Sequence, residues 1–189
     1  IVIGYDHHFG YKRRGDANFL NSMKRIYNYK IREINPLIIN NIPVSSTIIR
    51  NYIKTSNIKS ANNLLDRKYS LLGKVVKGKG IGQGIGFPTA NIESYNPSQL
   101  IPSRGVYCVD VIVNNKNYIG MCNIGNRPTI HDEGEDVIEV HLITDNNLSI
   151  YGEDILIKFK DFIRKEKKYK NTTELVNQLR NDRYTCMPN

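Results

Sequence analysis

The chain reads GKGIGQGIGFPTAN from Gly78 to Asn91, and the interpretation of the rest of the sequence starts from this stretch. Alternate residues are glycine over its first nine positions, so the backbone can take positive φ and approach a ligand with no Cβ in the way. This pattern is typical of a phosphate-binding loop, and we expect the loop to become ordered when a ligand binds, because ordering glycine costs much backbone entropy. The candidate phosphate-binding residues are Gly78, Gly80, Gly82, Gly84 and Gly86.

The end of the same stretch predicts a site for a metal ion. Pro88 fixes its own φ and biases Phe87 toward an extended conformation, so the chain leaves the loop in a defined direction. In an extended segment Thr89 and Asn91 point to the same face. Their hydroxyl and amide oxygens are neutral ligands that suit Mg²⁺, which takes its other ligands from water and nucleotide phosphates.

The glycine pattern alone leaves another interpretation open. Glycine-rich runs also form flexible linkers and turns. This run is not a Walker A loop, because no Gly-Lys-Ser or Gly-Lys-Thr follows the glycines.

Composition limits the class of protein. The 189 residues are 40% hydrophobic and 24% charged, which is typical of a globular chain with one or two domains. The net charge of +9 favours an anionic partner, which could be nucleic acid, a membrane surface or a phosphorylated small molecule. No apolar run approaches the length of a membrane span and no signal peptide opens the chain, so we predict no membrane partner.

The cysteines and the first residues give two further expectations. Cys108, Cys122 and Cys186 are widely spaced, so neither a disulfide framework nor a zinc site is predicted, and a reducing cytoplasm is the simplest location. Because the chain opens with Ile1 rather than Met, inside an apparent buried strand, we interpret it as a fragment without its natural beginning.

Residues 1–66 show an α/β pattern. We expect a strand at Ile1–Ile3 followed by a functional loop. Apolar spacing predicts a helix from Asp16 to about Ile34, a strand at Leu37–Ile39, and a helix that begins near Ser45 and Ser46. A short helix from Ser56 to Leu65 then ends at a polar joint, where we place the domain boundary between residues 1–66 and 67–189.

Residues 67–189 show short strands separated by turns. We expect strands at Tyr69–Lys77, Arg104–Val113 and Ile155–Ile163, with a four-residue connection after Val113. The strand from Arg104 is apolar on both faces, as in a barrel that also packs against other elements. A final helix is predicted after Asn171, which with Glu174 resembles a capping box.

The strand from Val137 to Ile143 carries an unusual polar face. Glu139 and His141 share one face, while the alternate residues are apolar. A carboxylate in mid-strand needs water or a partner, and a surface salt bridge is the ordinary explanation.

Five segments together resemble the riboflavin kinase family, and they include GFPTAN at Gly86–Asn91 and IEVH at Ile138–His141. The five are Gly78–Asn91, Arg104–Tyr107, Asn123–Thr129, Ile138–Leu142 and Arg164–Tyr169. The resemblance implies a six-stranded antiparallel barrel with a C-terminal helix. It also implies an enzyme that transfers the γ-phosphoryl group of ATP to riboflavin, giving FMN. The implied roles are Mg²⁺ and ATP binding by Pro88, Thr89 and Asn91, base catalysis by Glu139, and flavin binding by Arg164 and Glu166.

Residues 1–66 resemble part of the FMN adenylyltransferase module of bacterial bifunctional FAD synthetases. The resemblance implies an incomplete Rossmann-like nucleotidyltransferase fragment. The His-containing phosphate-binding motif of that module is absent from this sequence, so we do not expect FMN adenylylation by this chain alone. The residues that match binding positions of that module are Gly4, Asp6, Phe9, Ser45, Ser46, Thr47 and Arg50. From the residues alone, Ser45 and Ser46 would be read as a plain helix N-cap.

Two other functions stay open at this point. A basic β-barrel could bind single-stranded nucleic acid through stacking aromatics, with tyrosine as the abundant one. Against this, no RNA-binding aromatic signature is present, and such a groove has no use for the Pro-Thr-Ala-Asn geometry. The second alternative is a non-catalytic remnant. We therefore predict riboflavin and ATP as partners rather than nucleic acid, and assign no oligomeric state.

Overall fold

The computed structural model describes residues 1–78, 81–126, 136–145 and 148–187. The chain folds into two compact units. The front unit is Ile1–Ser45 and the barrel unit is Ser46–Asn189.

The front unit contains a small parallel sheet. Strand β1 (Val2–Gly4) pairs with β2 (Arg32–Ile34), and Ile3 at its centre is buried. Helix α1 (Ala17–Met23) begins where the Asp16 side chain accepts a hydrogen bond of 2.8 Å from the Phe19 amide. A short hairpin, β3 (Ile38–Ile39) and β4 (Ile42–Pro43), completes this unit in the part that the structure describes.

The predicted helix from Asp16 to about Ile34 is wrong over its second half. The helix ends at Met23, and Arg32–Ile34 is a strand. The apolar spacing continues through Ile26, but backbone pairing with the β-branched strand β1 overrides it. The predicted α/β nucleotidyltransferase fragment stays a prediction.

The barrel unit is built on a closed antiparallel barrel with the strand order β10–β5–β6–β9–β8–β7. All its neighbouring strands pair antiparallel. The described residues thus confirm the predicted six-stranded barrel. The strands are β5 (Ser70–Val76), β6 (Ala90–Ser94), β7 (Gly105–Val113), β8 (Lys116–Asn126), β9 (Asp136–Ile143) and β10 (Asp154–Arg164).

The β7–β8 hairpin has a shorter connection than predicted. Only Asn114 and Asn115 lie between the strands, and both have positive φ, 51° and 58°. Two-residue hairpin loops of this kind match the strand twist, and asparagine tolerates this conformation better than most residues. The predicted four-residue connection is therefore wrong, because Lys116 and Asn117 already pair with β7.

Strands β7, β8 and β9 bury both of their faces. Val109, Cys122 and Val140 point into the barrel, where they join the main core cluster. The alternate residues Cys108 and Met121 face outward and join a second cluster with residues of the C-terminal helix. The sequence-based expectation of two apolar faces on β7 is confirmed.

Helices α2 (Ser46–Lys54) and α3 (Ile58–Leu65) belong to the barrel unit. The Asn62 amide ties α3 to the barrel, because it donates to the Phe159 carbonyl at 2.9 Å and accepts from the Tyr69 amide at 2.7 Å. Both helices form one compact unit with the barrel. The predicted boundary at residue 66, which separates sequence modules, stays a prediction. Among the described helices of both units, none is long and apolar enough to cross a membrane.

Helix α4 (Thr172–Cys186) packs on the outside of the barrel. Its predicted N-cap is confirmed: the Asn171 side chain accepts from the Glu174 amide at 2.9 Å. A buried ion pair fixes its second half. Asp182 is 1% exposed and accepts from the Arg164 guanidinium, at 2.7 Å from Nη2 and 3.0 Å from Nε. Gln178 donates to the same carboxylate at 2.9 Å.

A disulfide bond also joins α4 to the barrel. Cys108 of β7 and Cys186 at the end of α4 are bonded, with their Cα atoms 5.1 Å apart, while Cys122 is free and buried. The expectation of no disulfide is therefore wrong. The two cysteines are 78 residues apart in sequence, and they meet only because α4 folds back onto β7.

The Arg164–Asp182 pair predicts a large effect of mutation on stability. Asp182→Ala leaves the guanidinium without its buried partner, so we expect a loss of about 3–5 kcal/mol in the free energy of unfolding. Asn181→Ala is the matched control, since the neighbouring side chain on the same helix is exposed and its loss should change stability by less than about 0.5 kcal/mol. Denaturant unfolding checks both, and equal midpoints for the two variants would show that the pair does not hold α4.

Candidate active site

A cavity of about 540 Å³ opens on the outer face of the barrel. Its floor is formed by β6, β9, β8 and β7, and it is flanked by α4 and the segment from Arg164 to Tyr169. Cavities of this size commonly bind cofactors and small molecules. Apolar lining residues are Ile85, Phe87, Val106, Met121, Val137, Leu175 and Leu179.

The polar residues of this cavity are aligned by the register of the sheet. Asn91 of β6 lies opposite Glu139 of β9, which in turn lies opposite Asn123 of β8. The row continues through Val106 of β7 to Arg164 of β10. We call these five residues the cross-strand row, and all of them line the cavity. Directly opposite residues of antiparallel strands share a face, with Cβ atoms about 4.5–5.5 Å apart.

The predicted metal ligands lie at one end of this row. Thr89 and Asn91 both line the cavity, and Asn91 is 8% exposed. Within the described ranges, no cluster of three or more His, Cys, Asp or Glu side chains could hold an ion alone. An ion at this corner would therefore bring other ligands with it, as Mg²⁺ bound to nucleotide phosphates does. The two neutral oxygens beside the cavity fit such an ion.

The glycine loop reaches the cavity through Gly82. Residues Ile81–Ile85 form a 3₁₀ helix, and Gly80 lies outside the described residues. A Cβ on Gly78 would lie 1.9 Å from the Asn91 amide nitrogen, and one on Gly82 would lie 2.2 Å from the Phe87 carbonyl oxygen.

Close approach to backbone therefore requires glycine at Gly82, and a Cβ at Gly78 would displace the Asn91 side chain. Gly86 has a φ of 79°, which favours glycine. Nothing lies within 4 Å of the corresponding position on Gly84. The predicted phosphate contacts of these glycines stay predictions.

Glu139 is half-buried and faces the cavity. Burial, and after it the negative charge of Glu139, raises the pKa of the Cys122 thiol. The electrostatic field of the Glu139 carboxylate therefore extends to Cys122 in the barrel interior, although the residue also lines the cavity.

His141, two residues further along β9, also lines the cavity. Burial is the main cause that lowers the pKa of His141; the charge of Arg183 acts in the same direction, and a hydrogen bond to the Pro88 carbonyl opposes it.

The predicted flavin-binding residues Arg164 and Glu166 both line the cavity. The Arg164 guanidinium is bound to Asp182, and its carbon lies 5.8 Å from the centre of the Tyr169 ring. Glu166 approaches Gly125 so closely that a Cβ there would lie 2.6 Å from its Oε1.

Four residues of this region were missed by sequence reasoning as parts of a site: Asn123, His141, Tyr169 and Asp182. Period-two spacing from Glu139 was the available signal for His141. In the part of the chain that the structure describes, the Tyr169 hydroxyl is buried and has no hydrogen-bond partner. It lines the cavity, which makes it available to a ligand.

The residues predicted from the adenylyltransferase resemblance lie elsewhere. In the front unit Gly4 ends β1, Asp6 lies in the turn that follows, and the Phe9 backbone pairs with Gly15. Ser45 precedes α2, which carries the other matched positions, and the cavity lining includes none of these α2 residues. Their binding roles stay predictions. The α2 residues in question are Ser46, Thr47 and Arg50.

Comparison with known proteins identifies the family. The family model described as riboflavin kinase matches residues 65–187, which include all the barrel strands. The chain belongs to the riboflavin kinase family. A second model, described as FAD synthetase, matches residues 1–48. Membership of the riboflavin kinase family confirms the resemblance seen in GFPTAN and IEVH, but it assigns no role to individual residues.

The relatives that this chain matches are longer proteins. A bifunctional riboflavin kinase/FMN adenylyltransferase of Buchnera aphidicola (subsp. Acyrthosiphon pisum) is 38% identical over 96% of this chain and 58% of its own length. The protein of the same name from Escherichia coli K12 is 33% identical over 98% of this chain and 58% of its own length. The chain thus spans little more than half of these relatives.

A solved structure covers almost the whole chain. It is a crystal structure described as a macrolide-efflux protein from Streptococcus pneumoniae, with a TM-score of 0.85 and 32% sequence identity. The match covers 98% of this chain and 59% of that one.

The glycine loop supplies a matched pair of variants. Gly82→Ala forces the Phe87 carbonyl to move, and we expect a loss of about 1–3 kcal/mol in the free energy of unfolding, as in other overpacked sites. Gly84→Ala meets open space and should be neutral or stabilise by about 0.4–1 kcal/mol. Thermal unfolding of both variants checks this expectation, which an unaltered Gly82→Ala would contradict.

Proposed function

We propose that this chain is an ATP:riboflavin 5′-phosphotransferase. It transfers the γ-phosphoryl group of ATP to the terminal ribityl hydroxyl of riboflavin and releases FMN and ADP. The observation that carries this proposal is the pairing of Asn91 with Glu139 on adjacent strands, both facing one cavity beside Thr89. Membership of the riboflavin kinase family supports it.

The nucleotide end of the cavity would act mainly by positioning. In phosphoryl transfer the charge develops on the phosphoryl oxygens, so placement and electrostatics dominate catalysis. The loop around Gly82 would hold the phosphates through backbone N–H groups, and Thr89 and Asn91 would hold the divalent ion. The ion, which we propose to be Mg²⁺, would neutralise negative charge on the phosphates.

Glu139 would act as the general base. A neutral alcohol is a poor nucleophile, and removing its proton as the new P–O bond forms requires a positioned acceptor. Glu139 pairs with Asn91 on the adjacent strand, and this pairing supports a proton acceptor next to the proposed position of the γ-phosphate.

The other end of the cavity would bind the flavin. Val106, Leu175 and Leu179 offer apolar surface to an isoalloxazine ring. The Tyr169 hydroxyl, which has no partner among the described residues, could bond a polar edge of that ring. We retain Arg164 and Glu166 as flavin-site residues. Arg164 would act by holding α4 beside the cavity through its hydrogen bond to Asp182.

The alternative of nucleic-acid binding is not supported. The barrel that carries the cavity lies within residues 65–187, which match the riboflavin kinase family model, and this match favours a small-molecule site. FMN adenylylation by this chain alone is still not expected. We keep a cytoplasmic location as a proposal. The cysteines do not support it, because Cys108 and Cys186 are bonded.

A product assay tests the proposed activity. The purified chain is incubated with riboflavin, ATP and Mg²⁺, and the flavins are separated by chromatography. We expect FMN and no FAD, with no FMN in the presence of excess chelator. Absence of FMN under the first condition would contradict the proposal, and FAD would show that the front unit is catalytically sufficient.

Replacement of the proposed base gives a second test. Glu139→Gln keeps the shape of the side chain but removes the proton acceptor, so we expect kcat to fall by about 10²–10⁴-fold. Riboflavin affinity, measured by flavin fluorescence quenching, should be unchanged. Glu93→Gln is the matched control, because this exposed carboxylate also lies on a barrel strand. Equal turnover for the two variants would exclude Glu139 as the base.

A further inference from the structure

His141 makes a specific hydrogen bond beside the cavity. Its side chain is 7% exposed, and its Nδ1 lies 2.9 Å from the carbonyl oxygen of Pro88. A carbonyl oxygen can only accept, so Nδ1 carries the proton and donates. The ring is also held by Phe87, with the two ring centres 5.2 Å apart. The imidazole is therefore fixed on the segment that precedes Thr89.

The bonded carbonyl controls the direction of Thr89. The Pro88 carbonyl and the Thr89 amide belong to the same planar peptide group. Since the proline ring already fixes φ of Pro88, the rotation that remains at this residue is ψ, which sets where its carbonyl points. A donor that holds this carbonyl therefore fixes the whole peptide plane from which Thr89 starts.

The loop side of the same segment is constrained as well. The Phe87 amide donates to the Gly82 carbonyl at 2.9 Å. Phe87 is thus tied to the glycine loop, and Pro88 is tied to β9 through His141. The residue that follows, Thr89, is carried between these two attachments into the cavity.

We propose that His141 is a positioning residue for the divalent-ion corner, acting through the hydrogen bond from its Nδ1 to the Pro88 carbonyl. The bond fixes the direction in which Thr89 presents its hydroxyl oxygen to a metal–nucleotide complex. This inference rests on the proposed function, because Thr89 is a ligand only if the chain binds such a complex. Residues that orient ligands in this way typically contribute about 10–100-fold to metal affinity.

Three substitutions separate the hydrogen bond from simple filling of space. His141→Asn places an amide N–H near the position of Nδ1 and can keep the bond to Pro88. His141→Gln extends the amide by one methylene, toward the position of Nε2, and loses the bond. His141→Leu fills the space with no donor. The comparison of Asn with Gln remains informative if the Leu variant does not fold.

The probe is Mn²⁺ in the presence of ADP, with free Mn²⁺ measured by electron paramagnetic resonance. We expect His141→Gln and His141→Leu to weaken Mn²⁺ binding by about 10–100-fold, and His141→Asn by much less. Riboflavin affinity from fluorescence quenching should stay the same in all three. In turnover, the Gln variant should need more Mn²⁺ yet approach the wild-type kcat at saturating ion.

Two results would overturn the inference. If His141→Asn weakened Mn²⁺ binding as much as His141→Gln, the hydrogen bond would not be the cause. If neither changed it, His141 would have no part in the ion corner. Both readings are independent of FMN formation by the wild-type chain, so a failure of the proposed function would be recognised separately.

Discussion

The antiparallel register between β6 and β9 is the constraint on which the site depends. It places Asn91 directly opposite Glu139, and the next register places Asn123 on the other side of the same carboxylate. A shift of one residue would turn these side chains into the barrel core and bring apolar residues to the cavity. Because Ile92, Ile138 and Val140 fill that core, the hydrophobic pattern fixes the register and, with it, the geometry of the proposed chemistry.

The barrel can hold a site on its outer face because α4 and the basic segment enclose it. The inner faces of β7, β8 and β9 supply the core, while their outer faces pack against α4 or line the cavity. Two connections hold α4 in place, the buried Arg164–Asp182 pair and the Cys108–Cys186 disulfide. Arg164 is therefore both an end of the cross-strand row and the anchor of the helix that flanks the cavity.

Local sequence signals predicted much of this arrangement. Alternation of apolar residues predicted the strand that carries Glu139 and His141, and Pro88 predicted the extended exit that aligns Thr89 with Asn91. Interactions between distant residues could not be predicted in this way. The partner of Asp182, the pairing of Cys108 with Cys186 and the strand at Arg32–Ile34 all depend on tertiary interactions that no local pattern specifies. The two-residue turn at Asn114 and Asn115 was missed because all four residues from Asn114 to Asn117 are polar and suit a turn. The sequence does not show which two of them take positive φ.

In the proposed mechanism, one face of the barrel brings a metal-bound nucleotide and a flavin alcohol together around Glu139. A crystal structure of the chain with ADP, Mg²⁺ and riboflavin tests it most directly. We expect the ion on the Thr89 and Asn91 oxygens, and the terminal ribityl hydroxyl within about 2.6–3.2 Å of the Glu139 carboxylate. A ribityl chain that ends away from Glu139, or an ion bound away from Thr89 and Asn91, would exclude this arrangement.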